Sequence, residues 1–502
     1  MLTTVAQKIT TILGSKKFFY VIVAVLVISA GWIAFSSIYP MAFDESFHLG
    51  IIQIYAHQWS PFLALTPPNS GQFGELTHDP SYIYHYLMSF PYRLVNLFIH
   101  DSINQIIIMR LLNIGLFVGG LVGFRRLLMR IGASSAITNF SLLMLVLLPV
   151  TPLLASQINY DNMLFLLLPI NLIFVLNTAQ SIAKRKQVEA RDLILMIAIG
   201  CLTSLVKYVY LPIFAASILY VLVVWLKDKQ RKKILHSVLQ SFRVLHLAAK
   251  IGLTIILVLS SGLFAQRYVV NAVLYHDIQP ECNKVETLEH CLQYGPWARN
   301  YNLKETAQSA PSRPVPLSFP EFILSWTNTM IDRLYFTIDY AFVEYAPMPL
   351  PITMAYIIGG IGLILVLIFW RSIMLINRHI WLLMAVILTY CLSLLYVNYT
   401  EYLTFDKMVA INGRYFVPLL PFVFIIIGLA YRCLFAKLWP HKTNIIKSSL
   451  TIVAIFVALQ GGGALTYLIH SEPAWYWQNS PLTGFNIQTQ KIITPLIIGA
   501  KK

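Results

Sequence analysis

Apolar residues run in long blocks along most of this chain, and polar residues gather between them. Blocks near 20 residues are long enough, as helices, to cross a hydrocarbon core of about 30 Å. Eleven stand out, near 18–39, 104–124, 134–153, 161–180, 192–206, 208–226, 248–268, 350–370, 380–397, 414–433 and 448–468. The pattern predicts an all-α polytopic membrane protein with about 11 transmembrane helices. The first block leads into Tyr39-Pro40 and an acidic pair rather than a small-residue cleavage site, so it reads as a retained helix.

Two regions between blocks are too long to be plain connectors, 40–103 and 269–349, and loops of such length usually carry function. The first holds a turn-rich stretch at 66–71, then His78-Asp79-Pro80 and the polar-aromatic run 81–88. That run reads as a helix lying along the interface, where Tyr is favoured. The second holds two cysteines, a proline-rich strip at 311–320 and an aromatic segment at 322–345, and reads as a cap over a cavity. The expected organisation is one membrane domain over 1–470 and an extracytoplasmic tail over 471–502.

Composition agrees with the blocks: 57% of residues are hydrophobic and only 12% charged. Most of the Lys and Arg fall on one side of the predicted spans, while nearly all acids fall on the other. Basic loops mark the cytoplasmic side. The N-terminus is then cytoplasmic and the Asp44-Glu45 loop outside, in a plasma (inner) membrane. The net charge of +16 fits basic loops facing anionic membrane lipids. No phosphate loop, zinc-finger spacing or RNA-binding signature is present, so nucleic acid is not an expected partner.

Cysteine placement fits that orientation. Cys201, Cys391 and Cys433 lie in apolar blocks as small core residues, whereas Cys282 and Cys291 flank a short polar stretch of the second outer loop. A disulfide between those two, in an oxidising compartment, is the expectation, and closing so short a loop contributes about 2–3 kcal/mol.

Polar groups converge on the outer boundary. Asp44, Glu45 and His48 follow the first block, and His78, Asp79, Tyr82 and His85 lie in the first loop. Gln157, Asn159, Tyr160 and Asp161 form a tight turn, Lys207 and Tyr208 mark the next outer turn with Tyr210 just after it, and Arg414 and Tyr415 open a late block. Ionisable groups are costly at a membrane boundary unless they bind or react. A carboxylate there can take a proton from an acceptor hydroxyl, and cations can offset charge building on a phosphate leaving group. Asp44 suits the first role; Lys207 and Arg414 suit the second. Structural roles compete at each position: Asp44 and Asp161 could cap helices, Lys207 could reach the surface along its stem, and His85 and Tyr82 could anchor the interface.

The order Asp44-Glu45-Ser46-Phe47-His48, Tyr160-Asp161, Lys207-Tyr208-Val209-Tyr210 and Gly413-Arg414-Tyr415-Phe416-Val417-Pro418 resembles the GT-C superfamily of polytopic glycosyltransferases. The nearest likeness is a bacterial membrane family of unknown function grouped with it, alongside protein O-mannosyltransferases and the aminoarabinose transferase of lipid A. The resemblance covers about residues 20–435. It departs at Ser46, where the family usually has proline, and at Phe43, where a proline often precedes the pair.

The resemblance implies an inverting glycosyltransferase that takes a sugar from a polyprenyl-phosphate donor. The acceptor would be an envelope glycan, lipid or protein. Asp44 would be the general base, with Glu45 or Asp79 orienting the acceptor. Some members use a divalent cation such as magnesium or manganese; Asp44, His48 and Asp79 would be its ligands here. Two other classes share the apolar groove and the phosphate-binding cations: a transporter or flippase for lipid-linked saccharides, and a non-catalytic scaffold of envelope assembly.

Overall fold

Ser15, Asp101, Ser134 and Asn159 stand just ahead of apolar blocks, and each side chain accepts a backbone N–H of the helix that follows. Such caps satisfy donors that a helix start otherwise leaves open. The computed structural model describes residues 2–309, 316–335, 349–376, 378–439, 443–459, 462–478 and 480–498, and named strands are absent among them.

In chain order the first half comprises α1 (Leu2–Gly14), α2 (Lys16–Ser36), α3 (Glu45–Ala56), α4 (Ile83–Phe98), α5 (Ser102–Arg130), α6 (Ser135–Leu147), α7 (Val150–Ala155), α8 (Tyr160–Gln180), α9 (Ala190–Val206), α10 (Leu211–Leu226), α11 (Arg231–Val244), α12 (Leu247–Phe264) and α13 (Val270–Tyr275). Three further helices follow, α14 (Cys282–Val285), α15 (Leu288–Leu292) and α16 (Gly295–Ser309). The rest is α17 (Phe319–Asp332), α18 (Pro349–Ile376), α19 (Ile380–Phe405), α20 (Leu420–Leu438), α21 (Thr443–Leu459), α22 (Ala464–His470) and α23 (Pro481–Ile498).

Eight helical segments among the described residues are long and apolar enough to cross a membrane: Lys16–Ser36, Ser102–Arg130, Tyr160–Arg185, Tyr208–Leu226, Leu247–Tyr275, Leu350–Ile376, Ile380–Phe405 and Leu420–Leu438. The chain is thus an all-helical protein of multi-pass membrane character. Three predicted blocks are shorter than expected. The block at 134–153 divides into α6 and α7 around Leu148-Pro149, because proline cannot donate to the helix ladder. The block at 192–206 is the 17-residue α9, and that at 448–468 breaks into α21 and α22 at Gly463, whose φ is 57°.

Helix α8 is the hub. Two thirds of its apolar window (67%) is buried inside the protein, against 11% for Leu247–Tyr275, so the former packs on protein and the latter faces outward. Glycines on α5 permit the closest approach. A Cβ on Gly120 would lie 2.4 Å from the Phe165 ring and 2.7 Å from its carbonyl, and the Phe117 ring stacks on Phe165 at 4.0 Å. Small residues at such crossings let helix backbones come together in lipid.

The long regions between spans, 40–103 and 269–309, pack on each other and on this bundle. Cys282 and Cys291 form a disulfide. Beyond it, Tyr294 stacks on Phe47 of α3 at 5.5 Å, and His290 Nε2 lies 3.1 Å from the Gly74 carbonyl. Of the proline-rich strip and the aromatic segment expected in the cap, residues 310–315 and 336–348 lie outside the described residues. The tail is a packed element: Trp477 donates its N–H to the Ser36 carbonyl, Ile38 donates to the Trp475 carbonyl, and Trp32 Nε1 donates to Asn486 of α23 at 2.8 Å.

Candidate functional site

Phe43 and Asp44 both adopt left-handed backbone, with φ of 62° and 65°. Neither is glycine, and such residues cost about 1–3 kcal/mol each unless their surroundings enforce them. Three contacts do so. Asn159 Nδ2 donates to the Phe43 carbonyl at 2.8 Å, the His48 amide donates to the Asp44 carbonyl at 3.1 Å, and Arg414 Nη2 donates to Asp44 Oδ2 at 2.7 Å. The turn leaves the Asp44 side chain 45% exposed while Arg414 beside it is 7% exposed.

Arg414 reaches this place because Gly413 lies against the Met330 and Arg333 backbone, where a Cβ would come within 2.6 Å of the Met330 carbonyl oxygen. Asn412 Oδ1 then accepts the Arg414 amide at 3.0 Å. The guanidinium sits over the Phe43 and Tyr415 rings at 4.9 and 5.2 Å. Its Nε and Nη1 are buried and without a hydrogen-bond partner. Open donors on a buried cation are expensive, and they are what an anion site requires.

Lys207, at the end of α9, does not stand free for a phosphate as the sequence led us to expect. Its Nζ is 2.6 Å from Asp161 Oδ1, with both side chains buried. The Tyr160 and Tyr415 rings flank the ammonium at 4.5 and 4.7 Å. Asp161 keeps its second oxygen buried and unpartnered. Asn159 links the two carboxylates, since its Oδ1 accepts the Asp161 amide at 2.9 Å while its Nδ2 holds Phe43. Asp44, Asp161, Lys207, Arg414 and Tyr415 therefore share one site.

His48 and His85 pair beneath it, Nδ1 to Nε2 at 2.9 Å, and the His48 ring packs on Tyr160 at 4.6 Å. Burial lowers both, His48 well below the ordinary histidine value and His85 to about 3. Both rings are buried, and the His48 amide ties the pair to the Asp44 turn.

Five further expected site residues lie in other surroundings. Glu45, expected to act in the chemistry, is fully buried and faces away from Asp44. Its oxygens accept Arg110 Nε and Nη2, each at 2.8 Å, and the Met41 and Ile158 amides. With no open lone pair toward solvent, Glu45 is a strut. His78 is bound at Nδ1 to Asn271 at 3.0 Å, tying the first loop to α13. Tyr210 is buried with its hydroxyl on Asn171 of α8 at 2.8 Å. Asp79 and Tyr82 belong to a neighbouring cluster around Arg267, whose guanidinium lies 4.8 Å from the Tyr82 ring. Asp79 Oδ1 accepts the Ser81 amide, and burial raises its carboxyl to about 6.

Asp44, His48 and Asp79 do not converge as metal ligands: Asp44 is on Arg414, His48 on His85 and Asp79 on Ser81. Among the described residues no group of three or more His, Cys, Asp or Glu could hold a metal ion.

Arg110 and Asn113 support the site without having been singled out from sequence, and Arg267 centres the neighbouring cluster. Arg110 and Arg267 carried a usable signal, since a charge within an apolar span must find partners. Asn113 carried none, because an amide in the middle of a helix is usually held by its own backbone, as here by the Met109 carbonyl. No protein-family model, curated protein or solved structure matches this chain.

Proposed function

We propose that this protein is an integral-membrane inverting glycosyltransferase of GT-C type, acting on a polyprenyl-phosphate sugar at the extracytoplasmic face. In this reading the chain crosses the membrane about 11 times, with α6–α7, α9 and α21–α22 completing the set and the N-terminus cytoplasmic. The observation that carries it is the pairing of a half-exposed carboxylate, Asp44, with a buried arginine that keeps two donors open.

The chemistry follows from that pair. Asp44 takes the proton of an acceptor hydroxyl as its oxygen attacks the anomeric carbon. The bond from that carbon to the phosphate oxygen breaks, and polyprenyl phosphate leaves carrying the displaced electron pair. Arg414 Nε and Nη1 stabilise the charge that develops there. Lys207, shared with Asp161, adds positive potential at short range.

An apolar cavity of about 320 Å³ lies between α6, α18, α20 and α21, lined by Ile137, Met144, Ile358, Phe424, Ile427 and Val457. Tyr335 borders it, and the preceding Arg333 and Leu334 back Gly413. A prenyl chain in that cavity would end near Arg414.

The test is donor turnover by purified protein in nanodiscs, with pooled polyprenyl-phosphate sugars, envelope extract and polyprenyl phosphate release as readout. Release by wild type that falls at least about 10²-fold in folded Asp44→Asn supports the proposal. A lipid-linked sugar that binds without any release would move the assignment to a transporter or scaffold.

A further inference from the structure

Helix α11 joins the end of α10 to the start of α12 through short connections, residues 227–230 and 245–246. Both neighbours belong to apolar segments long enough to cross a membrane, Tyr208–Leu226 and Leu247–Tyr275. A helix tethered so closely at both ends must lie at one bilayer face, and its 14 residues extend about 21 Å along it.

Its two sides differ. Ile234 and Ser237 face the protein. Ser237 Oγ accepts the Val188 amide at 2.9 Å and Ser241 Oγ accepts the Ala190 amide at 2.8 Å, latching α11 to the start of α9. The other side exposes Leu235 and Leu239, 62% and 60% accessible and one turn apart, with Val244 beyond them.

Cations surround those leucines. Lys227, Lys229, Arg231, Lys232, Lys233 and Arg243 fall between 227 and 243, and Asp228 is the one acid in that stretch. Asp228 is already held by Lys186. Among the described residues none of the six cations forms an ion pair, and the nearby acids Glu189 and Asp192 lie against Arg185 and Arg191. Basic residues around an exposed apolar stripe, at the level where two spans leave the bilayer, match a layer of acyl chains below and anionic headgroups above. A nucleic acid would match the charge but leave the leucines in water.

We propose that the exposed face of α11 is a binding surface for anionic phospholipid, with Leu235 and Leu239 in the acyl boundary and the cations at 227–233 and Arg243 on headgroup phosphates. This surface is independent of the site around Asp44 and stands whether or not that site transfers sugars.

The test uses the full chain purified in neutral detergent, with native mass spectrometry of the adducts formed on adding phosphatidylglycerol or phosphatidylcholine. Wild type should retain phosphatidylglycerol at least about tenfold more readily, at roughly fivefold per headgroup-level cation. Replacing Lys229, Arg231, Lys232 and Lys233 by Gln should abolish that preference, and the milder pair Lys232→Gln with Lys233→Gln should reduce it. Leu235→Ser with Leu239→Ser should weaken retention of both lipids alike. Equal retention of the two lipids by wild type, or an undiminished preference in the four-fold variant, would overturn the proposal. So would equal retention together with saturable binding of polyglutamate, which would assign the face to an acidic protein.

Discussion

Two buried arginines stand on either side of the Asp44-Glu45 pair, and they differ in what they leave unsatisfied. Around Arg110 every polar nitrogen is engaged: Nε and Nη2 on Glu45, Nη1 on the Ala34 and Ser37 carbonyls, and Nη2 also on the Ile38 carbonyl. Around Arg414 one nitrogen holds a half-exposed carboxylate and two have no partner. A saturated ion pair fixes structure, and an unsaturated one beside solvent keeps donors open that a ligand could take. Adjacent acids thereby take opposite roles.

The comparison breaks first at its structural half. Arg110→Ala leaves the Glu45 carboxylate buried without its counter-charge, which costs about 3–5 kcal/mol. Thermal unfolding in nanodiscs should show a large loss, whereas Asp44→Asn, which keeps an acceptor for Arg414 on a half-exposed side chain, should lose clearly less. Equal losses in the two variants would erase the distinction.

On the functional half, Arg414→Gln removes charged hydrogen bonds worth about 1.5–3 kcal/mol each. Retention of polyprenyl phosphate by the purified protein should weaken by about 10–100-fold. Unchanged retention would take the open donors out of the argument.

Asn159→Asp tests whether one amide sets both carboxylates. The variant keeps the oxygen that caps Asp161 and turns the donor toward Phe43 into an acceptor facing a carbonyl. Loss of that hydrogen bond should lower kcat by about tenfold and leave the donor KM nearly unchanged. A change in KM alone would mean that Asn159 serves binding rather than the Asp44 turn.

The smallest effect is on pH dependence. His48 and His85 are neutral in the folded chain because burial lowers them, and His85 falls to about 3. Unfolded histidine takes up a proton near 6.5. The stability that the pair contributes is therefore present above about pH 6.5 and lost as pH falls toward 3. Asp79, raised by burial to about 6, acts oppositely: its cost is present above pH 6 and disappears by about pH 4. His85→Asn should flatten the acid limb of a Tm-against-pH curve, and Asp79→Asn should steepen it.

Much of this was legible in local pattern. The apolar blocks located the eight long helices among the described residues, and cysteine spacing anticipated the bridge from Cys282 to Cys291. Each depends on neighbours a few positions apart, which a sequence displays directly. Even Asp44 could be singled out, because a carboxylate at a membrane boundary needs a reason to be there.

Tertiary structure decided which carboxylate is available and which cation is open. Glu45 meets Arg110 across 65 positions, Lys207 meets Asp161 across 46, and Asp44 meets Arg414 across 370. No local period encodes such pairings. In sequence Asp44 and Glu45 are equivalent neighbours; the left-handed turn at Phe43 and Asp44 sends one to solvent and the other into the core. Polar groups bury only where partners await them, and those partners are set by how the helices pack around α8.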